Sequence, residues 1–160
     1  VLGLLPGSDP KLKAETVVLM GHLDHLGIEQ DAKPGEDAIH NGALDNAAGI
    51  ATMLEAGRAF VRSGKAPKRS VLFIAHTAEE AGLLGASYWA SHPTVPLGQV
   101  AAAVNLDMPL PLYDFTDVVA FGADHSTVAR AVAEAARTMG LAVGEDPMPE
   151  QGIFTRSDHY

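Results

Sequence analysis

The chain of 160 residues contains no cysteine. This absence excludes disulfide bonds, zinc sites built from thiolates and catalysis by a thiol. The chain also has no run of lysine or arginine, and its formal net charge is −9 at pH 7. We therefore expect neither nucleic acid nor an anionic membrane surface as a partner. No apolar stretch approaches the roughly 20 residues of a membrane-spanning helix, so no membrane span is expected in this segment.

The apolar content of 47% suffices for one hydrophobic core in a chain of this length. We expect residues 1–160 to form a single domain. The chain begins at Val1 without a methionine and stops at Tyr160, directly after a Ser-Asp-His run. Neither a strand nor a helix is predicted after that run. We therefore expect an incomplete domain that is truncated at its C-terminus.

Apolar runs that are typical of strands alternate with segments of helical periodicity. The strand-like runs cover residues 1–5, 16–20, 69–76, 100–107, 117–122 and 141–143. The helical segments cover residues 45–63, 83–93 and 126–139. This alternation predicts an α/β fold with a mixed, mostly parallel central sheet and helices on both faces. The connection between the first two strands suits an antiparallel pair, and residues 27–44 are expected to form a long surface loop.

Acidic residues and histidines follow the ends of these predicted strands or open the helix after the long loop. In open α/β sheets, the chemistry gathers beyond the carboxyl ends of the strands. If these acids and histidines were unrelated turn residues, their occurrence at the end of one strand after another would be a repeated coincidence. The residues in question are His22, Asp24, Asp45, Glu79, Glu80, Asp107 and, at the extreme C-terminus, His159.

The adjacent pair Glu79-Glu80 is the most informative local feature. Two neighbouring carboxylates at the end of a buried strand repel each other and lose hydration. A bound cation makes this arrangement favourable, because one carboxylate can ligate the ion while the other accepts a proton. Imidazole and carboxylate ligands without cysteine suit zinc, cobalt or manganese better than calcium. The sequence therefore predicts a site for a pair of divalent ions.

Five short motifs follow one another along the chain: "GHLDHLG", "NGALDNAAG", "TAEEAGLLG", "NLDM" and "SDHY". Through these motifs the chain resembles the M28 metallopeptidases, the family of di-zinc aminopeptidases, over nearly its whole length. The resemblance implies a zinc-exopeptidase-like three-layer sandwich, with residues 1–160 as an incomplete catalytic domain. It also implies two Zn²⁺ ions, with Co²⁺ or Mn²⁺ as substitutes, and a peptide substrate with a free N-terminus.

The resemblance further implies which residues would hold the two ions. His22 and Asp107 would bind the first zinc ion, and Glu80 and His159 would bind the second. Asp45 would bridge both ions. Each ion would then have one histidine, one terminal carboxylate and the shared carboxylate.

Two residues are implied to act beside the metal ligands. Asp24 would hold the imidazole of His22 and so fix its tautomer. Glu79 would be the general base, taking a proton from a water held between the ions and passing it to the departing amine. The resemblance also implies a cis peptide bond after Asp45. His25 has no assigned role in this pattern.

Three alternatives stay open at this point. A di-metal deacylase or carboxypeptidase of the M20 type shares the paired glutamates and the final histidine. An acyltransferase of the glutaminyl-cyclase type resembles the same family but keeps a single zinc ion. A non-catalytic, receptor-like domain can use the same scaffold. The resemblance to the family implies that the protein is secreted or periplasmic. The sequence does not indicate an oligomeric state.

Overall fold

The computed structural model describes residues 1–110 and 112–160. These residues divide into two units, Val1–Pro109 and Leu110–Tyr160. The first unit holds every predicted site residue except His159, which belongs to the second. That the whole chain forms one catalytic domain stays a prediction.

Six strands belong to the first unit. Their bounds are Leu2–Leu5 (β1), Thr16–His22 (β2), Gly27–Ile28 (β3), Ile39–His40 (β4), Ser70–His76 (β5) and Val100–Asn105 (β6). The central sheet has the strand order β1-β5-β2-β6. Strands β5, β2 and β6 run parallel, and β1 lies antiparallel to β5 at the edge. The predicted mixed, mostly parallel sheet is therefore confirmed.

The predicted pairing of the first two strands with each other is wrong. Strand β1 pairs with β5, which lies between β1 and β2. Strand β2 is largely buried and has parallel neighbours on both sides, whereas three of the four residues of β1 are exposed. An exposed strand suits a sheet edge and a buried strand suits the centre. The burial of each strand therefore determines which strands pair, and the length of the connection between β1 and β2 does not.

Helices cover both faces of this sheet. They are α1 (Gly49–Ser63) and α2 (Leu84–Ser91). Side chains alternate along a strand, so neighbouring residues of β5 point to opposite faces. Phe73 lies against α1, where a Cβ added to Gly57 would sit 3.6 Å from the ring. On the other face, Trp89 of α2 packs against the buried cluster of Val18, Met20, Leu72 and Ile74.

The predicted long loop contains the short antiparallel hairpin of β3 and β4 and ends in an irregular turn. Helix α1 begins at Gly49 and not at residue 45, because Asp45 and Asn46 have non-helical backbone angles. The peptide bond between Asp45 and Asn46 is cis, as predicted. The helix ends at Gly64, which adopts a left-handed conformation (φ 63°) that favours glycine.

The second unit is smaller, and its described residues include the α-helix α3 (Val128–Thr138) and two short parallel strands. The strands are β7 (Asp117–Val118) and β8 (Ala142–Val143), both shorter than predicted. The helix begins at Val128, two residues later than predicted, and its N-cap residue is Thr127; the hydroxyl of Ser126 accepts the N–H of Val128 at 3.2 Å. Throughout the described residues, no helix has both the length and the apolar content needed to cross a membrane.

Candidate metal centre

The parallel strands bring the predicted site residues of the first unit to one edge of the sheet. His22 is the last residue of β2, and Asp107 lies two residues after the end of β6. Glu79 and Glu80 lie in the turn that follows β5. Because β5, β2 and β6 are parallel neighbours, their carboxyl ends meet at the same edge. Asp45 reaches this edge from the turn that precedes α1.

His22 is the centre of the first cluster of possible ligands. Its side chain is only 1% exposed, and its Nε2 lies 3.3 Å from Oδ1 of Asp45 and 3.4 Å from Oδ1 of Asp107. Two ligand atoms bound tetrahedrally to one zinc ion, each at about 2.0–2.1 Å, lie about 3.3 Å apart. These three atoms therefore have the spacing of ligands that share one ion.

The tautomer of His22 supports the same interpretation. Its Nδ1 lies 3.1 Å from the backbone carbonyl of Asp24, a group that can only accept a hydrogen bond. Nδ1 therefore carries a proton, and Nε2 is the ring nitrogen that faces the two carboxylates. Nε2 is buried and makes no hydrogen bond to the described part of the chain. A cation bound to Nε2 would also contact the two carboxylates that face it.

A second cluster shares Asp45 with the first. Its possible ligand atoms come from His25, Asp45 and Glu80, and they all lie within 4.8 Å of one another. Nδ1 of His25 is 2.7 Å from Oε1 of Glu80 and 3.8 Å from Oδ2 of Asp45. Asp45 thus directs one carboxylate oxygen to each cluster, which is the arrangement that a bridging ligand requires.

The charges at this edge shift two pKa values in the direction expected of a cation site. Burial raises the pKa of the Asp45 carboxyl above its usual 3.8, and the carboxylates of Glu80 and Asp107 raise it further. Burial alone would lower the pKa of His22, but the carboxylates of Asp107 and Glu79 outweigh that effect and raise it. The carboxylates at this edge therefore repel one another, and a bound divalent cation would remove that repulsion.

Asp24 holds the turn that carries the two glutamates. Its Oδ1 accepts the N–H of Glu79 at 3.2 Å, and its Oδ2 accepts the N–H of Glu80 at 3.1 Å. These two hydrogen bonds outweigh the effect of burial and lower the pKa of Asp24. The carboxylate lies 3.6 Å from Nδ1 of His22, and it is the backbone carbonyl that accepts the hydrogen bond from the ring. Asp24 thus orients both the imidazole and the glutamate turn, through different atoms.

Asn46 connects the turn before α1 to the loop after β6. It is 2% exposed, and its Nδ2 donates to the carbonyl of Leu106 at 2.9 Å. Its Oδ1 accepts the N–H groups of Gly49 and Met108, both at 3.1 Å. This amide holds the loop that carries Asp107 next to the turn that carries Asp45. Sequence reasoning missed Asn46, because two of its three partners are backbone groups about 60 residues away, at Leu106 and Met108.

Gly49 lies at the close approach of these two segments and yields a testable prediction. A Cβ at this position would sit 2.2 Å from the carbonyl oxygen of Leu106 and 2.3 Å from Oδ1 of Asn46. We expect Gly49→Ala to lower the free energy of unfolding by about 1–3 kcal/mol, because the backbone must shift to accept the methyl group. Urea unfolding of the full-length protein measures the change.

Gly57 is the matched control, because it lies in the same helix and its added Cβ would make only an ordinary contact with Phe73 at 3.6 Å. Gly57→Ala is expected to leave stability unchanged or to raise it by up to about 1 kcal/mol. Equal effects of the two substitutions would contradict the close approach at Gly49.

His159 belongs to the second unit and comes more than 50 residues later in the chain than Asp107. Its ring centroid is 5.3 Å from that of Phe154 and 6.5 Å from that of Phe121. The preceding Ser157 and Asp158 are buried. The role of His159 as a metal ligand stays a prediction.

Comparison with known proteins identifies the family. A model of peptidase family M28 matches the chain over residues 1–160. The chain belongs to peptidase family M28. The predicted resemblance is therefore confirmed, and with it membership of a family of zinc-dependent metallopeptidases, which are hydrolases.

Individual relatives of this M28 chain match only part of their own length. A probable zinc metalloprotease of Pyrenophora tritici-repentis is 42% identical over 67 residues, which cover 42% of this chain and 15% of that protein. A zinc aminopeptidase from Bacillus subtilis has a TM-score of 0.66 and 25% identity, covering 99% of this chain and 35% of that one. A glutaminyl cyclase from Bacteroides thetaiotaomicron has a TM-score of 0.68 and 20% identity, and the match covers 99% of this chain and 57% of that one. These structures confirm the predicted α/β fold.

Proposed function

We propose that the protein is an aminopeptidase that hydrolyses the peptide bond next to a free N-terminus with the help of two zinc ions. One observation carries this proposal: the buried Nε2 of His22, which has no hydrogen bond within residues 1–110 and 112–160, faces the carboxylates of Asp45 and Asp107 at the spacing of shared zinc ligands. Hydrolysis of a peptide bond by a water between two ions requires such a ligand set.

In this proposal the carboxylate of Asp45 is shared between the two ions. His22 and Asp107 complete one set of ligands, and Glu80 belongs to the other. His159 stays a ligand predicted from the sequence. The mixture of imidazole and carboxylate donors without thiolate suits zinc, with cobalt or manganese as substitutes. The bound ions would lower the pKa of a water molecule and polarise the scissile carbonyl group.

Glu79 is the proposed general base. Its carboxylate would take the proton of the attacking water and later donate it to the nitrogen of the departing amine, so that the proton is returned within one cycle. The two hydrogen bonds from the glutamate turn to Asp24 support this assignment, because they hold the backbone of Glu79 beside the ligand Glu80. A base that is positioned in this way loses little freedom when the substrate binds.

A panel of small substrates tests the proposed specificity. We expect the full-length, zinc-loaded protein to hydrolyse amino-acid arylamides with a free α-amino group. N-acetylated versions of the same arylamides are the matched controls, and we expect their kcat/KM to be lower by at least about 10²-fold, because the free amine is a required group of the substrate.

Two further substrates in the panel distinguish the alternatives. Preferred hydrolysis of N-acyl amino acids would identify a deacylase or carboxypeptidase, and cyclisation of an N-terminal glutaminyl peptide would identify a cyclase. Either result would contradict the proposed aminopeptidase. We also propose, on the resemblance to the family, that the protein is secreted or periplasmic.

A further inference from the structure

His25 makes a short polar contact at the candidate metal centre. Its Nδ1 lies 2.7 Å from Oε1 of Glu80, and the two residues come from loops that follow different strands. An ionised carboxylate can only accept a hydrogen bond, so Nδ1 carries the proton and donates it. This bond leaves the second oxygen of Glu80 for another partner.

The length of this contact decides between two roles for His25. Two ligands of one zinc ion lie about 3.3 Å apart, as Nε2 of His22 and Oδ1 of Asp45 do. A separation of 2.7 Å is too short for that arrangement and is normal for a charge-assisted hydrogen bond. His25 is therefore placed to hold a ligand and not to be one.

The position of the His25 ring is itself constrained by its neighbours. A Cβ added to Gly42 would sit 3.0 Å from Cβ and 3.2 Å from Cγ of His25, so the loop before Asp45 passes directly against the ring. Gly42 has a φ of 65°, which favours glycine at this close approach. The ring of His40 lies edge-on at a centroid distance of 6.2 Å. The imidazole is 23% exposed, so it is held on several sides without being sealed from solvent.

We propose that His25 is a positioning residue for the carboxylate of Glu80. Its Nδ1–H fixes one carboxylate oxygen, so that the other oxygen faces the ion that Glu80 shares with Asp45. This inference rests on the proposed function, because it assumes that Glu80 binds a zinc ion. The segment "HLDH" then supplies three different supports: the ligand His22, the backbone anchor Asp24 and the side-chain anchor His25.

The test measures zinc affinity directly in the full-length protein. Residues that orient a metal ligand typically contribute 10–100-fold to metal affinity. We expect His25→Ala to weaken one of the two bound equivalents by about 10–100-fold in a chelator competition, and to leave the other within about threefold. The absorption spectrum of the Co²⁺-loaded protein should change for the weakened equivalent alone.

A conservative variant separates positioning from a general structural effect. The Nδ2 of asparagine is bonded to Cγ, as Nδ1 of histidine is, and it can donate the same hydrogen bond. We expect His25→Asn to restore the affinity to within about fivefold of wild type. His92→Ala removes an exposed imidazole that stacks on Tyr88 at the end of α2, and this control should leave both affinities unchanged.

The outcomes are distinguishable from a failure of the proposed function. Wild-type affinity for both equivalents in His25→Ala would overturn the positioning role. A loss in His25→Ala that His25→Asn does not restore would also overturn it, because the ring would then act as a ligand or as packing. A wild-type protein that binds no zinc at all would instead contradict the proposed function itself.

Discussion

Asp45→Ala is expected to release both zinc ions from the full-length protein. Asp45 directs Oδ1 to His22 at 3.3 Å and Oδ2 towards the cluster that contains Glu80, so no other residue of the first unit can replace it in both ligand sets. Loss of the ions removes several kcal/mol of transition-state stabilisation, which corresponds to a decrease in kcat/KM of about 10³-fold or more.

Elemental analysis after dialysis measures the metal content of this variant, and an arylamide assay measures its activity. Asp31→Ala is the matched control, because Asp31 is an exposed carboxylate in the loop between β3 and β4. We expect the control to retain two equivalents of zinc and wild-type activity. Retention of both ions in Asp45→Ala would show that its carboxylate is not the bridge.

The second large effect is expected from Glu79→Gln. Glutamine has nearly the same shape as glutamate but cannot accept a proton from water at neutral pH. The expected result is a decrease in kcat of about 10²–10⁴-fold, the usual contribution of a general base. The zinc content should stay at the wild-type level, because Glu79 is not a proposed ligand.

Glu80→Gln provides the matched control, since the two glutamates are adjacent and both N–H groups bond to Asp24. In this variant we expect one zinc equivalent to be bound more weakly, because a neutral amide oxygen replaces a charged ligand. The comparison therefore separates a base from a ligand within one turn. If Glu79→Gln kept near-wild-type kcat, or if it lost zinc as Glu80→Gln does, the assignment of Glu79 would be wrong.

The residues that we propose as metal ligands were the ones that the sequence could indicate. His22, Asp45, Glu80 and Asp107 are ionisable groups at strand ends or at the start of a helix, and the topology brings the ends of parallel strands together. Their mutual distances follow from that topology. The same reasoning predicted the parallel sheet, because the buried apolar runs are typical of strands that are covered on both faces.

The supporting contacts could not be predicted in the same way. Asn46 acts through backbone groups near residues 106 and 108, and an isolated asparagine in a turn carries no signal of such partners. His25 contacts Glu80, which lies 55 residues later in the chain. The two residues meet because of the register of β2 against β5. Strand β1 pairs with β5 and not with β2 as predicted. A short connection fixes the relative direction of two strands more strongly than it fixes which strands lie next to each other.

Anomalous scattering at the zinc edge, from crystals of the full-length protein, directly tests whether two zinc ions bind at this edge of the sheet. Two zinc ions bound as proposed would give two peaks roughly 3.5–4 Å apart. One peak is expected among His22, Asp45 and Asp107, and the other between Asp45 and Glu80. The absence of any peak at this edge of the sheet, in crystals grown with zinc, would contradict the account.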